Sequence, residues 1–144
     1  MVRKYTAERL GEESALEAEN VFKIATSYSR VRSFLTSKGW EFQRKDEETE
    51  MDSFRNKKTR KELFVKDISE DFPVTFLMGA LSLAEFSDIA SELTPEIKLL
   101  EVDSSWEGRA TTIVVAMTEE QVRNMFGART RMRRLAVHRT ASQI

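Results

Sequence analysis

Two capping boxes set the order of elements in the second half of the chain. Ser82 is followed three residues later by Glu85, and Thr118 is followed at the same spacing by Gln121. In each pair a hydroxyl can cap the start of a helix while the second side chain reaches back to the capping residue. We therefore predict one helix that begins after Ser82 and another that begins after Thr118.

Short apolar runs rich in branched residues surround these two helices and predict strands. They cover residues 74–78, 97–102 and 110–117. If residues 131–137 are also extended, the order over residues 73–139 is strand, helix, strand, strand, helix, strand. That order is the ferredoxin-like (βαββαβ) arrangement. The alternative is a last helix that runs through Gly127 to Val137, because a glycine inside a helix costs only about 1 kcal/mol.

The first half of the chain predicts a long helix and a hairpin. Apolar side chains over residues 15–38 recur at steps of three and four residues, which predicts an amphipathic helix, and Gly39 predicts its end. Residues 40–43 alternate between apolar and polar and predict a strand, with residues 62–66 as its antiparallel partner. The highly charged residues 44–61 between them predict an exposed loop.

These elements predict an α+β fold in a single domain over residues 1–144. In this domain the N-terminal amphipathic helix and the short strands occupy about residues 15–68, and the ferredoxin-like unit occupies about residues 73–139. A length of 144 residues is within the usual range for one domain, and nine Phe and two Trp supply core side chains.

The chain contains no cysteine, so its fold depends on packing rather than on disulfides or thiolate metal sites. Such a composition favours the cytoplasm or another reducing intracellular compartment. The first ten residues lack the apolar run of a secretory signal, and no stretch of about 18 apolar residues is present, so no membrane contact is expected.

The sequence assigns no catalytic residue, metal ligand or cofactor site. His138 is the single histidine, and no glycine-rich phosphate loop is present. We therefore expect a non-enzymatic protein. The enzymatic alternative is a small carboxylate-dependent enzyme, which would need Glu101, Asp103 and Glu107 to converge in a pocket.

Two charged blocks of opposite sign are adjacent in the sequence. Five acids lie within residues 46–52, and the bases that follow include a candidate secondary patch for anions. This patch consists of Lys57, Lys58, Arg60 and Lys61. Because the blocks are neighbours along the chain, we expect them to neutralise each other, in which case the patch would not bind a partner.

The C-terminal segment is rich in arginine and contains no acid beyond Glu120. A guanidinium group binds phosphate or carboxylate through two parallel hydrogen bonds, so this segment suits nucleic acid or an acidic protein surface. The candidate residues are Arg129, Arg131, Arg133, Arg134 and Arg139. The alternative is that they pair with acids of the same chain, such as residues 46–52. The predicted strand at residues 109–117 has no aromatic residue, so a nucleic acid would be bound through its backbone.

The sequence thus favours a binding or assembly protein, expected to be a homo-oligomer, that contacts nucleic acid or another anionic partner through these arginines. The alternative is a protein–protein adaptor or regulatory subunit with no role in nucleic-acid binding. Trp106 lies in a predicted hairpin turn, where its indole would either contact a partner or fold back onto the hairpin.

Overall fold

A computed structural model describes residues 20–106 and 109–136, with backbone alone for residues 105, 106, 109 and 110. Within these ranges, eight strands form one mixed sheet, and three helices lie on it. In chain order the elements are β1 (Asn20–Ile24), α1 (Tyr28–Ser37), β2 (Trp40–Asp46), β3 (Met51–Asn56), β4 (Glu62–Asp67), β5 (Thr75–Gly79), α2 (Leu83–Leu93), β6 (Lys98–Trp106), β7 (Arg109–Met117), α3 (Glu119–Phe126) and β8 (Met132–Arg134). No helix in these ranges is long and apolar enough to cross a membrane.

The helix predicted over residues 15–38 is wrong at residues 20–24, which form a strand. The helix α1 begins only at Tyr28, after Ser27 has capped it by accepting a hydrogen bond from the backbone amide of Arg30. Phe22 and Ile24 are buried on the same side of the strand. They fit a strand as well as a helix, and β1 gains backbone partners on both sides, pairing with β5 and with β7.

The ferredoxin-like arrangement is also wrong, although the order of elements after residue 73 is as predicted. In such a sheet the last strand of the unit would lie beside its first strand, β5. Here the strand order is β2-β3-β4-β5-β1-β7-β6-β8. The strand β4 occupies the side of β5 where β8 would lie, and β1 is inserted between β5 and β7. The strand β8 therefore pairs with β6 at the edge of the sheet. The helix α3 ends at Phe126, and Gly127, with a φ of 109°, follows it.

The predicted loop at residues 44–61 is wrong, because half of this segment belongs to β2 and β3. The chain turns twice without glycine, using Glu50 at φ 62° and Arg60 at φ 67°. Side chains support both turns. Thr49 donates to the carboxylate of Asp46, and the side-chain oxygen of Asn56 accepts hydrogen bonds from the amides of residues 58 and 59.

The core has one layer on each face of the sheet. On one face α1 and α2 cover Phe22 and Ile24, and the ring of Phe22 stacks on that of Phe86 with centroids 4.4 Å apart. On the other face α3 buries Val122 against Leu100 and Val115. Both predicted capping boxes are confirmed, with Glu85 and Gln121 reaching back to the caps of α2 and α3.

Candidate functional site

Several connections that contain basic residues lie at one end of the sheet, as the strand directions show. The strands β3, β5 and β6 run in the same direction, and β1 and β8 run against them. The turn after β3 and the segment before β8 therefore lie at the same end. The end of α1 joins them, since the amide of Lys57 donates to the carbonyl of Gly39 over 2.9 Å. This basic end consists of Lys38, Lys57, Lys58, Arg60, Lys61, Arg129 and Arg131.

The opposite end of the sheet collects acids. The described connections there are the β1–α1, β2–β3, β4–β5, α2–β6 and β7–α3 segments, and none of them contains a lysine or arginine. This acidic end consists of Asp46, Glu47, Glu48, Glu50, Asp67, Glu70, Asp71, Glu96, Glu119 and Glu120. Bases do lie inside the flanking elements, with Arg30 in the first turn of α1 and Lys98 at the start of β6. In addition, Arg44 pairs with Asp46 over 3.5 Å, and the ammonium group of Lys66 donates to the carbonyl of Thr49 over 3.3 Å.

The expected neutralisation between the two neighbouring charged blocks is therefore wrong. The acids at residues 46–50 precede β3 and the bases at residues 57–61 follow it. Six residues of extended chain separate the blocks by about 20 Å. Salt screens exposed charges beyond about 8 Å at physiological ionic strength, so the two blocks act independently.

The turn at residues 57–61 keeps part of its charge uncompensated. Lys57 forms an ion pair with Glu41 over 3.6 Å, and Lys61 pairs with Glu85 over 3.5 Å. Within the described residues, no acid lies at ion-pair distance from Lys58 or Arg60, and both side chains are exposed. The secondary basic patch thus presents two free cations at the tip of the turn.

In the described residues, the predicted arginines lie at the edge of the sheet. They differ in whether an acidic side chain of the same chain pairs with them. Arg133 forms an ion pair with Glu101 on β6, and Arg131 lies 3.9 Å from the carboxylate of Asp103. Within the described residues, none of the predicted arginines forms the pairing with the acids at residues 46–52 that the sequence had allowed. Arg129 and Arg134 are exposed and meet no acid in the described ranges. Arg129 and Arg131 line a shallow hollow of about 540 Å³, whereas Arg139 lies outside the described residues.

Two acids suggested for an enzyme share one side of β6, because Glu101 and Asp103 are two residues apart on the strand. Each faces an arginine on the open edge of the sheet. The third acid, Glu107, lies outside the described residues, as do His138 and the side chain of Trp106. In the described ranges, no group of three His, Asp or Glu side chains is arranged to hold a metal ion.

A polar cluster that the sequence analysis missed lies between α1 and the strands β2 and β3. The carboxylate of Asp52 is buried, accepts a hydrogen bond from the hydroxyl of Tyr28, and lies 4.0 Å from Arg32 and 3.5 Å from Lys45. Its Oδ1 has no hydrogen bond within the described residues, although the ammonium group of Lys45 is near. A buried charge without such partners would be expensive, so these three side chains hold Asp52 in place.

The hydroxyl of Tyr28 is strongly perturbed in this cluster. Burial first, and then the hydrogen bond to Asp52, raise its pKa to about 12, while the nearby Arg32 opposes the shift. Arg32 also donates to the hydroxyl over 3.4 Å. The three groups therefore act as one unit in which the guanidinium is oriented from two sides.

The other side of Arg32 faces an aromatic pair. Its guanidinium carbon lies 4.7 Å from the ring centre of Phe42 and 5.7 Å from that of Phe54. The two rings meet edge to face, with centroids 5.8 Å apart. Phe54 is fully buried, but Phe42 is 42% exposed on the edge strand β2.

One local signal in the sequence pointed to part of this cluster. Tyr28 and Arg32 are four residues apart, the spacing that places two side chains on one face of a helix. The partner Asp52 was hidden because it belongs to an acidic run that resembles a solvated loop. Its burial follows only from the pairing of β3 with β2 and β4.

Comparison with known proteins does not assign this arrangement of side chains to a protein family. No protein-family profile, no curated protein and no solved structure matches the chain. A functional assignment therefore has to be argued from the charges and contacts described above.

Proposed function

We propose that this protein binds the phosphate backbone of nucleic acid through its basic end. The observation that carries the proposal is the separation of charge, in which the described connections at that end contain bases and no acids. Phosphate contacts by lysine and arginine supply most of the sequence-independent affinity for nucleic acid. The acids of the described connecting segments lie at the opposite end of the sheet, where they would not repel the bound strand.

The spacing of the bases favours an extended polyanion over a small ion. The turn at residues 57–61 joins β3 and β4, whereas Arg129 and Arg131 lie beside the edge strand β8. Five strand-to-strand steps separate β4 from β8, or about 24 Å. A single phosphate cannot bridge that distance, but the backbone of a short oligonucleotide can.

The proposed binding surface differs from the arginine segment expected from the sequence, because some arginines are left out and two other bases are added. Arg129 and Arg131 belong to the basic end, while Arg134 closes β8 on the side toward the acidic end. Lys58 and Arg60 join the surface because the fold separates them from the acidic block. The protein acts as a binding or assembly protein in this account, and self-association stays a prediction that light scattering measures.

The test is fluorescence anisotropy with labelled RNA and DNA oligonucleotides over a series of salt concentrations. We expect the double variants Lys58→Ala with Arg60→Ala, and Arg129→Ala with Arg131→Ala, each to weaken binding. Each should also reduce the slope of log K against log salt by about 1.4 to 1.8, as expected for two lost phosphate contacts.

The matched control removes two bases from the other end of the sheet, Arg30→Ala with Lys98→Ala. This variant has the same change in net charge, so equal losses in all three variants would attribute binding to overall charge and contradict the proposal. Absence of binding by the unaltered protein at low salt would also overturn it. Retention of an acidic protein in place of nucleic acid would favour the adaptor alternative.

A further inference from the structure

Phe42 is a partly exposed aromatic ring at the edge of the sheet, in edge-to-face contact with the buried Phe54. Only Phe42 and Leu83 are large apolar side chains exposed by more than a third among the described residues. Phe42 lies on the edge strand β2, and its ring is in contact with a guanidinium group that is itself held in place. The flat surface beside this ring is therefore both apolar and cationic.

The guanidinium of Arg32 has contacts on two sides in the protein without ligand. Tyr28 and the buried Asp52 hold it on one side, and the rings of Phe42 and Phe54 bracket it on the other. Fixed side chains lose little conformational entropy on binding, so such a surface gains more from each contact than a mobile one. A shallow groove of about 460 Å³ along α1 opens next to Arg32, and its lining includes Ser33 and Thr36.

The ring lies next to the basic end of the sheet. Phe42 is two residues beyond Trp40, a distance of about 7 Å along an extended strand. The start of β2 is tied to the basic turn, because Lys57 forms an ion pair with Glu41 and donates its amide to Gly39. Phosphates held by the turn would thus place their bases within reach of Phe42.

We infer that Phe42 and Arg32 form a stacking site for an unpaired base, and that the protein consequently prefers single-stranded to double-stranded nucleic acid. This inference rests on the proposed binding at the basic end. Aromatic rings and guanidinium groups both stack on bases of any sequence, and a single strand can splay a base onto them. In a duplex the bases are already stacked on one another, so the phosphates alone would be contacted.

The test compares a single-stranded oligonucleotide with the duplex of the same sequence. We expect Phe42→Leu, which keeps an apolar side chain but removes the π-face, to weaken single-strand binding about tenfold. Binding of the duplex should change by less than about twofold. The control is Leu83→Ala, which trims the other exposed apolar residue and should leave both affinities unchanged.

A second variant keeps the test decisive if Phe42→Leu alters the fold. Phe42→Trp retains a ring, should bind single strands at least as well as the unaltered protein, and should show fluorescence quenching beyond that of the unaltered protein when a single strand binds. Equal single-strand affinity in Phe42→Leu and the unaltered protein, or no added quenching in Phe42→Trp, would overturn the inference while leaving backbone binding intact. Failure of the unaltered protein to bind would instead overturn the proposed function.

Discussion

Arg133 on β8 lies directly opposite Glu101 on β6, and the two side chains form an ion pair across the edge of the sheet. Two residues away, Arg131 and Asp103 repeat the arrangement over 3.9 Å. The strand register thus sets a carboxylate against Arg131, at the basic end that we propose to bind phosphate, and another against Arg133 beside it. These carboxylates compete with phosphate for the same guanidinium groups.

Removing the two competing charges should strengthen nucleic-acid binding. Exposed ion pairs are worth about 0.2–1 kcal/mol, so Glu101→Gln with Asp103→Asn is expected to raise affinity by up to about fivefold per pair. Anisotropy titrations measure the change. The control is Glu119→Gln, whose carboxylate pairs with Arg123 over 3.8 Å on α3. A fall in affinity would mean that the carboxylates orient the arginines instead of competing for them.

Tyr28 should give the protein an alkaline limit to its stability. Its pKa is raised from 10.0 to about 12 in the folded protein, so the hydroxyl contributes stability that is fully present below pH 10. This contribution is lost as the pH rises toward 12, where the folded protein also releases the proton. The ultraviolet absorbance of tyrosinate follows the titration, and the late step should disappear in Tyr28→Phe. A titration complete near the ordinary tyrosine pKa would contradict the buried hydrogen bond.

Gly79 should tolerate no side chain. Its φ is 147°, and a Cβ there would lie 2.7 Å from the backbone carbonyl oxygen of Glu62. Gly39 also has a positive φ, 94°, but its Cβ would meet nothing within 4 Å. We expect Gly39→Ala to lose about 1–3 kcal/mol through backbone conformation alone and Gly79→Ala to lose more. Urea denaturation measures both, and equal losses would remove the clash as the cause.

The stacked pair of Phe22 and Phe86 should dominate the stability of the larger core. Both rings are buried, and their centroids are 4.4 Å apart. Phe86→Ala leaves a cavity between α2 and the sheet and is expected to cost about 3–5 kcal/mol. Phe86→Leu retains most of the volume and should cost clearly less. Thermal unfolding distinguishes the two variants, and a similar loss in both would show that ring contact matters more than volume.

The sequence predicted those parts of the fold that depend on neighbouring residues. The capping boxes at Ser82 and Thr118, and the hairpin of β6 and β7, involve contacts between residues close in the chain. Their chemistry is therefore visible as short patterns. The strand β1 was missed because its parallel partner β7 lies about ninety residues further along the chain. Because Phe22 and Ile24 are compatible with both the helical and the strand spacing of apolar residues, only that distant pairing favours the strand.

For the same reason, only part of the candidate site could be predicted from the sequence. The arginines of residues 129–134 stood out by composition, and their chain neighbours contain no acids. The basic turn at residues 57–61 was discounted because acids precede it closely in the sequence. In the fold, β3 separates those acids from the turn. Phe42 and Arg32 meet only when α1 packs over β2. Local patterns identified the charges, but the topology determines which of them share a surface.

The separation of bases and acids between the described connections also gives this part of the protein an electric dipole along its strands. The whole chain has a formal net charge of only −1. This value alone would suggest only weak attraction to a charged polymer. A dipole of this kind experiences a torque in the field of a charged polymer, which turns the basic end forward before contact. It also means that one preparation should adhere to both cation-exchange and anion-exchange resins, each resin holding the molecule by a different end.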